Sequence, residues 1–118
     1  WGRNYRYGYG LTIGVNDGQI NYDSASGYIK FDMRTGASER LDLARGLSPA
    51  EAFFVPSPAG HEEDDGYLLG FVYDPSTQSS DLWIMDATTL GTGPIATVKL
   101  PVRVPFGFHG EWVPRESI

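Results

Sequence analysis

The sequence predicts an all-β chain made of consecutive antiparallel hairpin units. Fifteen glycines and eight prolines in 118 residues, with many aromatic and β-branched side chains, suit strands joined by tight turns. No window places apolar residues at helical spacing over three turns. Two stretches also repeat one plan. "GYIKFDMRTGASERLDL" (27–43) and "DLWIMDATTLGTGPIATVKL" (81–100) each hold an apolar strand ending in Asp, a turn with Thr and Gly, and a second strand.

Taken in order, strands are expected over 5–15, 27–33, 38–43, 51–55, 67–73, 81–86, 95–100 and 107–113. The turn signals between them are Asn16-Asp17-Gly18, Arg34-Thr35-Gly36, Asp64-Asp65-Gly66 and Asp74-Pro75-Ser76. Asp32 and Asp86 correspond across the repeat, 54 residues apart. That spacing is close to the roughly 40–50 residues of a β-propeller blade, so the units read as consecutive blades.

The repeat continues past the hairpins. "RGLSPAEAFFVP" (45–56) follows the first copy and "RVPFGFHGEWVP" (103–114) the second. Arg45 aligns with Arg103 and Val55-Pro56 with Val113-Pro114, without a gap, which sets Glu51 on His109. In a propeller this segment is the inner strand lining the central channel, so Glu51 and His109 are expected to point at a shared axis on adjacent strands. On a strand, Gly107, His109 and Glu111 share one face, while Phe106, Phe108 and Trp112 share the other. The glycines beside His109 leave room for a group, such as a metal, to approach the imidazole.

Composition narrows the function classes. A net charge of −6 without a Lys/Arg cluster argues against nucleic acid and against a polybasic membrane anchor. The longest apolar run, 67–73, is far too short for a membrane-spanning helix. No signal peptide is visible, although the chain opens on Trp1 instead of Met. With no cysteine there is no disulfide, thiolate metal site or cysteine nucleophile, so any metal must be held by nitrogen or oxygen. That usage suits a cytoplasmic protein, with peripheral membrane contact left open for a longer chain. His61, in "GHEEDDG", is expected to be exposed. The acid run Glu62-Glu63-Asp64-Asp65 could bind calcium but lacks the alternating spacing of an EF-hand loop. Nucleophile-elbow, phosphate-loop and His-Glu-x-x-His motifs are absent.

Four segments, "YRYGYGLTIG", "EAFFVPSPAGHEEDDGYLL", "SDLWIMDATTL" and "LPVRVPFGFHGEW", carry a family resemblance. They resemble the C-terminal end of the carotenoid cleavage oxygenases, a family of carotenoid, apocarotenoid and lignostilbene dioxygenases and the retinoid isomerase of the eye. The resemblance runs in order along essentially all 118 residues. It implies a seven-bladed β-propeller with one non-haem Fe(II) on its axis, held by four histidines from different blades. His109 matches the last of these ligands. Glu51 matches a glutamate that accepts a hydrogen bond from a ligand histidine, fixing its tautomer. The implied chemistry is cleavage of a conjugated carbon–carbon double bond of a carotenoid, apocarotenoid or stilbene with O₂, or isomerisation in one branch. Residues 1–118 are then a C-terminal fragment of about two blades, whose partners are the polyene or stilbene, O₂ and the remaining blades. With one ligand of four, the fragment alone is expected to be inactive. The alternative is a non-enzymatic β-propeller module for protein or ligand binding. Three further inner-strand histidines in a longer chain would favour iron, and none would favour the module.

Overall fold

The computed structural model of the chain describes residues 5–13, 15–20, 26–104, 113 and 115. Among these residues ten strands form three antiparallel sheets: β1 (Tyr7–Thr12), β2 (Val15–Asn16), β3 (Gln19–Ile20), β4 (Gly27–Asp32), β5 (Ser38–Asp42), β6 (Ser48–Pro49), β7 (Phe53–Pro56), β8 (Gly66–Asp74), β9 (Ser79–Asp86) and β10 (Pro94–Lys99). The first sheet runs β1-β4-β5, and the second runs β10-β9-β8 with both β6 and β7 on the far edge of β8. β2 and β3 make a small hairpin of their own.

Both repeated hairpins are present, as β4-β5 and β9-β10, and the helical content within them is limited to the 3₁₀ turn Leu90–Thr92. The strand expected over 5–15 is instead divided into β1 and β2. The β2-β3 turn is Asp17-Gly18, with φ of 50° and 77°, the mirror-image conformation that a two-residue hairpin loop needs. β6 was not anticipated. The strand expected over 107–113 lies outside the described residues.

The recurring aspartate at a strand end has a local cause. The Asp32 carboxylate accepts the amides of Arg34 (3.0 Å) and Thr35 (3.4 Å), closing the turn into β5. Asp86 accepts the amide (2.9 Å) and hydroxyl (2.7 Å) of Thr88, and Asp74 accepts the same groups of Ser76 at 2.9 and 2.7 Å. Each short carboxylate bonds amides that the ladder has released, which is why Asp recurs where a strand ends.

Several of these bonds make stability depend on pH. Asp32 lies well below the usual carboxylate range, first because Arg6 bonds both its oxygens (3.1 and 2.9 Å), then through the turn amides. Asp65 is lowered by the Glu62 and His61 amides, and Asp74 by the Ser76 hydroxyl and amide. A depressed folded-state pKa contributes stability above the unfolded value of about 3.9 and loses it as pH falls through the folded value. Melting temperature should therefore hold from neutral pH to about 4 and then decline. Asp32→Asn should flatten that acid limb, and an unchanged limb would remove Asp32 from this account.

The core lies between the two larger sheets. Along β8 the residues Gly66, Leu68, Gly70 and Val72 are buried while their neighbours are less so, the period-two signature of one packed face. From the first sheet, Tyr28 (2 % exposed) enters this interface against Leu68, Val72 and Met85, with Leu43, Ala87 and Leu90 completing the cluster. Fully burying each large side chain contributes about 1.5–3 kcal/mol. Tyr9 stacks on Phe54 of β7, ring centroids 5.8 Å apart. The opposite faces are more open, with Phe31 41 % and Val98 46 % exposed.

Candidate functional site

Glu51 lies between β6 and β7, on the edge of the second sheet farthest from β10. β6 pairs Ser48 with Tyr73 and Pro49 with Val72, and the Ala50 amide continues that register by donating to the Phe71 carbonyl at 2.8 Å. When β7 begins, Phe53 pairs with Leu69, so the register has slipped by one residue. Glu51 and Ala52 together oppose Gly70. This is a β-bulge, which bends the strand and re-aims its side chains.

The sequence predicts Glu51 as the first residue of a regular strand over 51–55. The structure begins the strand at Phe53 and sets Glu51, with an exposed side chain, in the bulge before it. The signal that could have shown this is Gly70, an isolated glycine inside the apolar run "YLLGFVY" of the opposite strand. His109 and the expected contact between it and Glu51 lie outside the described residues.

Among the described residues no three His, Cys, Asp or Glu side chains gather into a possible metal site. The sequence holds two histidines and no cysteine, so the imidazoles of His61 and His109 are the nitrogen side-chain donors it could offer a metal. Two imidazoles are too few for the four-histidine centre that the resemblance implies, and such a centre would need donors from other blades. His61 is exposed, as expected, in a loop where its amide donates to Asp65 at 3.0 Å.

The acid run is occupied by the protein itself. Glu63 accepts the backbone amides of Arg6 (3.0 Å) and Tyr7 (2.7 Å), and Asp65 accepts those of His61 and Glu62, both at 3.0 Å. Asp64 bonds the Lys30 ammonium at 2.7 Å. Lys30 is nearly buried, donates also to the Ala87 carbonyl at 2.8 Å, and lies 4.4 Å from the centre of the Tyr7 ring. Glu63 and Asp64 join the loop before β8 to the first sheet, a role the sequence did not disclose because their partners are 34 to 57 residues distant.

The family model described as "Retinal pigment epithelial membrane protein" matches residues 1–114. A carotenoid 9,10(9',10')-cleavage dioxygenase of Pisum sativum is 36% identical over 99% of this chain, and a carotenoid cleavage oxygenase of Mycobacterium tuberculosis is 39% identical over 93%. The chain spans 23% and 22% of these relatives' lengths. Among solved structures, a cobalt-substituted apocarotenoid oxygenase of Synechocystis superposes over 95% of this chain and 23% of its own, with TM-score 0.79 and 34% identity. At that likeness the two larger sheets are blades of a β-propeller.

Proposed function

From the premise that the chain belongs to the carotenoid cleavage oxygenase family, we propose that it forms blades of an Fe(II)-dependent dioxygenase. His109 supplies one imidazole ligand, and the Glu51 carboxylate accepts a hydrogen bond from a ligand histidine. The substrate class is a carotenoid, apocarotenoid or stilbene, cleaved at a conjugated double bond. When bound, the iron supplies activation of O₂, which neither a carboxylate nor an imidazole can provide. The protein's part is to present the imidazole correctly turned, and a carboxylate behind it fixes the tautomer and raises the ligand's basicity. The less buried faces around Phe31 and Val98 are where neighbouring blades stack in the longer protein. On this reading the 118 residues alone do not turn substrate over.

The observation that carries the proposal is the place of Glu51. It stands at a bulge on the blade edge farthest from β10, at the position the internal repeat equates with His109. The relatives' names support the oxygenase chemistry, and the cobalt-substituted Synechocystis enzyme supports a metal. In the full-length protein, Glu51→Gln should lower metal affinity or turnover by about 10–100-fold, because the amide keeps the size and weakens the charge-assisted bond. Full iron occupancy with normal turnover in that variant would leave Glu51 a structural residue only.

A further inference from the structure

The bulge that carries Glu51 is held from the other sheet. Tyr28 leaves β4 and donates its hydroxyl to the Ala50 carbonyl at 2.9 Å. Gly70 gives the phenol its room: a Cβ there would overlap the Tyr28 hydroxyl oxygen and stand 3.1 Å from the ring carbon Cζ and 3.4 Å from the Ala52 Cβ. Gly70 is also the residue that Glu51 and Ala52 both oppose. One phenol thus touches the peptide entering the bulge and the backbone facing it.

The Ala50 carbonyl belongs to the peptide plane that ends at the Glu51 Cα, so fixing it limits the rotation that aims the Glu51 side chain. A bulge interrupts the regular ladder and bends the strand, so a contact from the adjacent sheet helps to set its backbone. Burial raises the Tyr28 phenol well above its ordinary value, so it remains protonated and able to donate. On the other side of Glu51, the stacking of Tyr9 on Phe54 anchors the start of β7.

We propose that Tyr28, seated over Gly70, is a positioning residue for Glu51: it holds the Ala50–Glu51 peptide so that the carboxylate meets the ligand imidazole. The inference rests on the metal reading of Glu51 given above.

The test uses the full-length protein stripped of metal, with Co(II) titrated by its visible absorption against a competing chelator, and with melting of the metal-free form. Tyr28→Phe keeps the ring and removes only the hydroxyl. Co(II) affinity should fall about 10-fold, the lower end of the range for groups behind a ligand, with a shifted visible band. Gly70→Ala, which displaces the phenol, should lower affinity in the same direction. Because Tyr28 acts through Glu51, the losses from Tyr28→Phe and Glu51→Gln should not add in the double variant. A Tyr28→Phe protein that melts earlier yet keeps its Co(II) affinity and spectrum would overturn the inference, as would additive losses. Should Glu51→Gln itself leave Co(II) affinity unchanged, the metal reading fails; should it weaken binding while Tyr28→Phe does not, only the role of Tyr28 fails.

Discussion

Replacing His109 by alanine in the full-length protein should abolish stoichiometric iron binding and, with it, polyene or stilbene cleavage. The effect is expected to exceed that of Glu51→Gln, because one variant deletes a ligand and the other only weakens the group behind a ligand. A site built from neutral nitrogen donors holds Fe(II) by number and geometry, with no anionic ligand to compensate for a lost imidazole. Metal analysis of the purified variant, beside loss of substrate absorbance, reads both consequences. A His109→Ala protein that retained one iron per chain would sink the assignment of this histidine, and with it the reading of the repeat.

The second large effect is expected at the buried ion pair. Asp64→Asn leaves the Lys30 ammonium with the Ala87 carbonyl and the Tyr7 ring but, among the described residues, no paired anion, in a place where its side chain is only 9 % exposed. Removing one partner of a buried pair typically costs about 3–5 kcal/mol, since the other charge stays desolvated. Replacing both together, as Lys30→Met with Asp64→Leu, should recover most of that loss, because two apolar groups no longer need a partner. Urea unfolding of the single and double variants measures the contrast. If Asp64→Asn cost no more than an exposed pair, about 1 kcal/mol or less, Lys30 would have found water and the pair would not be what joins the loop to the first sheet.

The hairpins were legible in the sequence because their causes are local. Asp32 and Asp86 each bond amides two residues ahead, and Asp17-Gly18 supplies the two positive φ values of its turn within the turn itself. β8 was legible as a strand from its apolar run over 67–73, whereas the alternation of its buried face is set by the sheet packed against it. The acid run was not. Its charge suggested calcium, its spacing argued against an EF-hand loop and its end read as a turn, while Glu63 and Asp64 reach the backbone of Arg6 and Tyr7 and the Lys30 ammonium, brought to the loop only by folding.

Glu51 shows the same division at the site. By itself the sequence determined that the chain is all-β, that two hairpin units repeat, and that a glutamate in one unit stands where a histidine stands in the next. Gly70 hints at an irregularity in the sheet, but only the tertiary structure decided that it falls at this glutamate, setting it in a bulge and not in a regular strand. A bulge is set by the register against the opposite strand and by what crosses from the adjacent sheet, here Gly70 and the Tyr28 hydroxyl. Periodicity along one strand reports which face a residue takes. It carries no information on a one-residue slip that arises between strands, because that slip is stabilised by contacts far apart in the chain.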